Sequence, residues 1–380
     1  MALKVLIVTK ILAHYRLDVY RGIQDAEGLD VEFVAGSSRL DSSIASIPSG
    51  SLKKVHTVRN AEFKTFLWQR GLLRILRGRK PEVVVFQGDS KFLSTWISAL
   101  MLRAQGVGVL FWTIGWHRPE AGIKRIYKVT FYRLAHKLLI YGVIGRNIGI
   151  SMGYPLSRMT VVYNSSSNPV EQHAAEPFAL ERFQRSLPPP GSPVVTAVIR
   201  LNPVKRLDML IEASSILREG GCQLSVLLVG EGPEQDRLVH LALSLGVPLY
   251  LPGPAYGSEE LSLVYERTTV TVVPACAGLT TLQSFKHGVP VITHDFEYEQ
   301  MPESEAIVPG FTGDYYSYDN VDSLAKTIEF WVDKQARDSV STAARCRAVV
   351  SAKWSASAQS DVIVKEVRQI SEQQLGGRVL

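Results

Sequence analysis

The sequence predicts two doubly wound α/β domains facing one another across a cleft, and three observations predict it. The chain has 380 residues, more than one hydrophobic core ordinarily supports. Short β-branched runs alternate with longer helical stretches, the rhythm of parallel strands joined by crossover helices. Near the middle stands PPPG, at 188–191, which can continue neither a helix nor a central strand.

In chain order the first series of strands reads VLIV (5–8), VEFV (31–34), EVVVF (82–86), GVLFW (108–112), KLLIY (137–141) and TVVY (160–163). The second reads PVVTAVI (193–199), LSVLLV (224–229), LYL (249–251), VTVV (270–273) and VPVIT (289–293). The expected boundaries are an N-terminal domain over 1–170, a linker over 171–192, a C-terminal domain over 193–352 and a helical segment over 353–380, free to cross back to the first domain. In open parallel sheets ligands bind beyond the carboxyl ends of the strands, so the chemistry is expected on loops from those ends, lining the cleft.

Composition narrows the class. Apolar residues make up 46% and charged residues 21%, values of a chain that folds throughout. The three cysteines, Cys222, Cys276 and Cys346, are far apart and match no metal-binding spacing, which suits a reducing compartment. The apolar run after Lys4 is too short for a signal peptide and reads as a buried strand, and no run is long enough to span a membrane. Charge is asymmetric: residues 1–170 carry 24 Lys and Arg against 10 Asp and Glu, a net +14, while 171–380 carry 18 against 26, a net −8. A basic half implies an anionic partner.

Three motifs of the second half can carry chemistry. In AVIRLNPVKRLDMLIEA, Arg200 follows a strand and Lys205 precedes a helix. Two cations and a helix N-terminus can converge on a diphosphate and neutralise a leaving group; the same spacing also fits two ordinary surface cations. In LLVGEGPEQDRL, Gly230 and Gly232 permit close backbone approach to a ligand, or punctuate an ordinary turn. In VTVVPACAGLTTLQSFKHGVPVITHD, Gly278, Leu279 and Thr280 open a helix whose N–H groups could hold phosphate or sugar hydroxyls, unless the glycine serves helix–strand packing.

In this order the pieces resemble the second domain of family 4 of the retaining glycosyltransferases, built from two Rossmann-like domains in the fold called GT-B. VVYNSSS, RLNPVKRLD, VGEGP, LPGPAYGSEEL, PACAGLTTLQSFKHGVPVI and EAIVPGFTG carry the resemblance over 160–313. It implies that Arg200 and Lys205 hold a donor pyrophosphate, that Gly278, Leu279 and Thr280 offer backbone donors, and that Gly230, Gly232, Gln283 and Glu305 belong to the donor site. The family usually has two glutamates eight positions apart, where this chain has Ala275 and Gln283. Gln283 can still bond ribose hydroxyls; Ala275 cannot. GLTTLQSFKHGVPVITHD followed by QMPESEAI is similar to a polysaccharide-assembly subgroup that lacks those glutamates.

The first domain is similar to that subgroup in GDSKFLSTW, VLFWTIGWHRPEAGIKR and RLAHKLLIYG. The usual loop histidine is replaced by Ile114. His117 is the nearest substitute as a catalytic group, or else a surface residue. In HYRLDVY, His14, Tyr15 and Arg16 are candidates for meeting an anionic acceptor; Tyr15 and Tyr20 could equally pack the first helix. Two stretches, KTFLWQRGLLRILRGRK (64–80) and IKRIYKVTFYRLAHK (123–137), read as basic helices suited to an anionic lipid interface. The first would present Phe66, Trp68, Leu72, Leu73 and Leu76 beside Arg70, Arg74, Arg77, Arg79 and Lys80.

The expected function is therefore transfer of a sugar from a nucleoside diphosphate sugar to a saccharide acceptor, lipid-linked, in bacterial surface polysaccharide synthesis. Retention follows from the resemblance alone. No metal and no cofactor are expected, because cations and helix dipoles replace the ion and no DxD-like pair sits at a strand end. The expected location is the inner face of the plasma membrane, peripherally bound to anionic lipid, and no nucleic-acid module is present. A nucleotide-sugar epimerase on the same fold and a non-catalytic binding protein are the rival readings.

Overall fold

The computed structural model describes residues 2–37, 46–166 and 177–376. The chain divides into two compact units, Met1–Ser167 with Ser355–Leu380, and Asn168–Trp354. Residues 167–176, which include the end of the VVYNSSS motif and the start of the expected linker, lie outside the described residues; the remainder of that linker is a helix followed by the PPPG loop.

The first unit is built on eight strands: β1 (Leu3–Thr9), β2 (Leu29–Ser37), β3 (Val55–Phe63), β4 (Phe66–Arg70), β5 (Val83–Gln87), β6 (Gly108–Thr113), β7 (Lys137–Ile140) and β8 (Met159–Val161). Its helices are α1 (Leu17–Gln24), α2 (Leu72–Arg79), α3 (Leu93–Ala104), α4 (Gly122–Arg133) and α5 (Val143–Ser151). The order across the sheet is β4-β3-β2-β1-β5-β6-β7-β8, parallel except for the β3–β4 hairpin. β5 and β6 are near-continuous apolar runs because helices cover both faces of a parallel sheet; Val83, Val84, Phe86, Val109, Leu110 and Phe111 are all fully buried.

The second unit carries β9 (Val194–Val198), β10 (Ser225–Val229), β11 (Leu249–Gly253), β12 (Val270–Val272), β13 (Val291–His294) and β14 (Gly313–Tyr316). Its helices are α6 (Pro177–Arg185), α7 (Leu207–Glu219), α8 (Gln235–Ser244), α9 (Ser258–Arg267), α10 (Leu279–Lys286) and α11 (Val321–Lys353), the last kinked at Asp338. The order β11-β10-β9-β12-β13-β14 is all parallel. Counted from the first strand of the unit this is 3-2-1-4-5-6, the doubly wound arrangement, whose connections reverse direction between β9 and β12. Leu210, Ile211, Val226, Leu228, Val270, Val272, Ile328 and Trp331 fill the core between sheet and helices.

The final helix, α12 (Ala356–Gly376), belongs to the first unit and packs on α1. Glycine stands at 22 because a Cβ there would lie 2.6 Å from the Ser360 hydroxyl. Buried Glu366 of α12 meets Lys137 Nζ at 2.7 Å and accepts from the Thr160 hydroxyl at 2.9 Å, so its charge is both paired and hydrogen-bonded, the condition for burying a carboxylate.

The sequence expectation fails in three places. Residues 64–80 are not one helix: Phe66–Arg70 form β4, Gly71 turns the chain at φ 95°, and only Leu72–Arg79 are helical. Buried Gln69 explains it, since its amide donates to the Thr9 carbonyl at 2.9 Å while Leu67 N–H donates to Lys91 O. Leu72 and Leu76 face the interior, so this stretch presents less apolar surface than expected. β3 and β14 also escape the sequence reading. VHTVRNAEF is too polar, and GDYY too short and glycine-led, to show the signature of a buried strand.

One histidine makes the first unit sensitive to acid. Val109 N–H donates to Nδ1 of His136 at 3.0 Å, a bond that requires the neutral ring. Burial, with the Arg103 and Arg158 cations beside it, holds this imidazole down to about 4 from its ordinary 6.5. Between these values the folded state binds fewer protons than the unfolded chain, so stability is full above about pH 6.5 and falls as pH drops toward 4. His136→Asn, which keeps an acceptor for Val109, is expected to remove a share of the acid-induced loss on the order of 2 kcal/mol, read from urea unfolding between pH 7 and 4.

Candidate functional site

The reversal in the second sheet sets β9 and β12 side by side, with Val270 opposite Val195 and Thr271 opposite Thr196. Their carboxyl-end loops must diverge to opposite faces, and a crevice opens where they part. Arg200 leaves the end of β9, and Gly278 opens α10 at the end of the loop that follows β12. The Thr280 hydroxyl donates to the Val198 carbonyl at 3.1 Å and fastens the first turn of α10 to β9.

The glycine turn after β10 positions Arg200 from the other side. Ile199 N–H donates to Val229 O (2.9 Å), Leu201 N–H to Glu231 O (3.0 Å) and Glu234 N–H to Leu201 O (3.1 Å). A Cβ on Gly230 would lie 2.0 Å from the Ile199 oxygen, and one on Gly232 would lie 2.1 Å from the Leu201 oxygen. Gly230 also has φ +150°, at the edge of the region that favours glycine. Both glycines therefore admit the 199–201 backbone, which buries Leu201 and leaves Arg200 exposed. Tyr256 OH donates to Glu231 Oε1 at 3.3 Å. Partial burial and the Glu231 carboxylate push this phenol up, against the opposing pull of Arg200.

Lys205 ends the short turn Pro203–Lys205 and lies near the loop that precedes α10. Burial pushes the Cys276 thiol up while the Lys205 charge pulls it down, so the ammonium is within electrostatic reach of a residue two positions before Gly278. Arg206, in the left-handed region at φ 51°, is paired with Asp319 at 2.7 Å and Asp208 at 3.7 Å. Among the described residues, no carboxylate is ion-paired with Arg200 or Lys205. Two cations without an ion-paired carboxylate thus sit on the connection that leaves the carboxyl end of β9.

Gln300, which the sequence reading missed, fixes the loop before α10. Its Oε1 accepts from Ala277 N–H at 2.8 Å, and its Nε2 donates to the Thr293 hydroxyl and the His294 carbonyl, both at 2.9 Å. The Thr293 hydroxyl donates in turn to Val273 O (2.9 Å) and Ala275 O (3.1 Å), and Tyr316 OH to Pro274 O. Gln300, Thr293 and Tyr316 are all buried. The only sequence signal was a threonine closing the apolar strand VPVIT. The nearest atom to a Cβ built on Gly278 would be 3.7 Å away, in the Met301 side chain. That is ordinary van der Waals distance, so packing does not explain this residue. Its consequence is an unscreened helix start, where the first-turn N–H groups, Leu279 and Thr280 among them, lack intrahelical acceptors.

The remaining donor candidates lie further out. Gln283, one turn into α10, has its amide 3.2 Å from Nε2 of His287, which stacks on Tyr265. Half-buried Glu305 sits on the turn Pro302–Ala306, near enough to Tyr315 to help raise its phenol, which burial pushes up to about 12. In the first unit, the Arg16 guanidinium lies over the rings of Trp112 (4.7 Å), Tyr141 (5.2 Å) and Tyr15 (5.4 Å) and donates to Tyr141 OH. This cage anchors the His14–Arg16 turn to the ends of β6 and β7, while the half-exposed rings of His14 and Tyr15 meet edge to face. His117 is exposed, and partial desolvation with the Lys128 and Arg118 charges lowers its pKa. Among the described residues, no group of three or more His, Cys, Asp or Glu side chains could hold a metal ion.

Gln300→Leu would keep the volume, strand the N–H of Ala277 and deprive the Thr293 hydroxyl and the His294 carbonyl of a donor. At about 1–3 kcal/mol per buried polar group left without a partner, a drop of several degrees in Tm is expected by calorimetry. Gln300→Glu, which retains the acceptor, is expected to recover part of it.

Known proteins share parts of this sequence and its fold. Residues 179–347 match the family described as "Glycosyl transferases group 1". A D-inositol 3-phosphate glycosyltransferase of Rhodococcus erythropolis is 36% identical over 118 residues, which cover 28% of this chain and 26% of that protein. The match thus spans about a quarter of the curated relative's length. Over nearly the whole chain the fold is that of Anabaena HepE in complex with UDP, at TM-score 0.71 and 14% identity, covering 97% of this chain and 100% of that one. The lipopolysaccharide outer core galactosyltransferase WaaB gives TM-score 0.69 and 13% identity, covering 96% and 100%.

Proposed function

We propose that this GT-B chain, whose residues 179–347 form a group 1 glycosyl transferase domain, is a glycosyltransferase that moves a sugar from a nucleoside diphosphate sugar to a saccharide acceptor. The observation that supports this is the pairing of β9 with β12, since Arg200 and Lys205 follow the first strand and the glycine-opened start of α10 follows the second, fastened to β9 through Thr280. When a glycosidic bond to a diphosphate breaks, charge grows on the departing phosphate. Preorganised cations and oriented N–H groups stabilise that charge most where it develops. Lys205 would meet the phosphate next to the sugar, Arg200 its neighbour, and the N–H groups of Gly278, Leu279 and Thr280 the remaining oxygens. On this reading the charge is neutralised without a metal ion or cofactor.

The finer reading is an acceptor carried on a lipid, a role in bacterial surface polysaccharide assembly, retention of anomeric configuration, and work at the inner face of the plasma membrane. The net +14 over residues 1–170 supports the anionic membrane partner. Retention rests on the resemblance to family 4 of the retaining glycosyltransferases alone. With Ala275 offering only a methyl group, and its carbonyl engaged by Thr293, the donor sugar would be held by backbone groups, and His117 stands as the catalytic candidate of the first unit. Gln283 and Glu305 would complete the nucleotide side, and His14, Tyr15 and Arg16 the acceptor side. No described helix is long and apolar enough to cross a membrane.

Donor turnover tests the assignment. Lys205→Ala is expected to lower kcat for sugar release from a UDP-sugar by about 10²- to 10³-fold, the scale of losing one charge-stabilising group. Arg200→Ala is expected chiefly to raise the donor KM. UDP should raise the Tm of the wild type and raise that of the double variant far less. Equal turnover by wild type and Lys205→Ala would exclude the proposed role.

A further inference from the structure

Two helices of the first unit expose large apolar side chains on surfaces that a water-facing element keeps polar. On α4 the residues from Gly122 to Tyr127 are all exposed, with Ile123 at 82%, Ile126 at 66% and Tyr127 at 39%. On α3, Leu93, Ile97 and Leu100 are 41%, 49% and 57% exposed, and their spacing puts them on one stripe. Trp96 of α3 joins the helices. Its ring lies 5.3 Å from that of Tyr127 and 5.1 Å from that of Phe131, and both its indole N–H and Tyr127 OH donate to Ser90 O. Contiguous exposed apolar surface of this kind marks an interaction site.

The charge around it is one-sided. From Lys91 to Val170 the chain has ten Lys and Arg and a single acid, Glu120. Even that acid is paired with Lys128 at 3.3 Å. Lys124 and Arg125 stand among the exposed isoleucines of α4. Beside the helix lies an open cavity of about 370 Å³ lined by Ile126, Val129 and Met152 together with Arg125 and Arg133. The Arg125 guanidinium is oriented by its Nε donating to Met152 O at 3.1 Å.

We infer that the α3–α4 face docks on an anionic phospholipid bilayer, with the isoleucines inserted at the interface and the Arg125–Arg133 cavity receiving a headgroup phosphate. The partner is chosen by the two properties together. A polyanion such as nucleic acid would use the arginines and leave the isoleucines in water, and an apolar protein partner would have no use for so one-sided a charge. An interface with acyl chains below and phosphates above uses both. This deepens the proposal of a membrane-borne acceptor and replaces residues 64–80, much of whose apolar surface is turned inward, as the lipid-facing surface.

The test is co-sedimentation of the full chain with vesicles of phosphatidylcholine, with or without phosphatidylglycerol, alongside the Tm rise given by UDP. The wild type should sediment with the anionic vesicles only, and less at high salt. Ile123→Asp/Ile126→Asp should reduce binding at least about tenfold, and Arg125→Glu/Arg133→Glu should abolish the preference for phosphatidylglycerol. The α2 variant Arg74→Glu/Arg77→Glu, of equal charge change, should bind nearly as the wild type. Wild-type binding by the isoleucine variant, equal loss in the α2 variant, or no vesicle binding at all would overturn the inference. Vesicle binding without any response to UDP would instead count against the donor site and leave the docking face standing.

Discussion

The arrangement of the second unit depends on one constraint, the reversal of winding between β9 and β12. Hydrogen bonding forces these strands to run side by side, and the reversal sends the chain from their ends to opposite faces. Everything proposed to touch a phosphate hangs from those two ends. Arg200 and Lys205 ride on the connection from β9 to α7, and Gly278 to Thr280 on the connection from β12 to α10. The crevice therefore comes from topology, and the side chains need only be aimed.

Aiming is done by polar groups that touch no ligand. Gly230 and Gly232 let the turn after β10 lie against residues 199–201. Gln300 and Thr293 pin residues 273–277 from the β13 side. A site held on both flanks in this way has its donors in place before a ligand arrives, so little reorganisation accompanies charge development.

The second sheet was largely legible because five of its six strands are apolar runs, four of them ending at glycine, proline or arginine. β14 was not, since GDYY at a sheet edge looks like a turn. The cations and the helix start could be read from local order, for each lies on a strand-to-helix connection. Gln300 could not, because its partners at 277 and 293–294 come together only in the folded chain. In the first unit the same limit applies to Arg16, whose cage takes Trp112 and Tyr141 from more than 90 positions away, and to α4. A mixed run such as IKRIYKVTFYR reads as amphipathic, but which isoleucines remain open to solvent is decided by α3 and Trp96.

The attachment of α12 has a consequence for biosynthesis. Residues 355–380 complete the first unit, where Glu366 joins Lys137 and Thr160, yet they are translated after all of the second. On the ribosome the second unit, one continuous segment, can finish folding while the first still lacks a helix over its sheet. Lys137 then waits for its counter-ion until about 230 further residues have been added, roughly 10–50 s at ordinary elongation rates. For that interval the face that α12 covers is open to chaperones, and truncation near the carboxyl terminus would damage the amino-terminal unit rather than its neighbour.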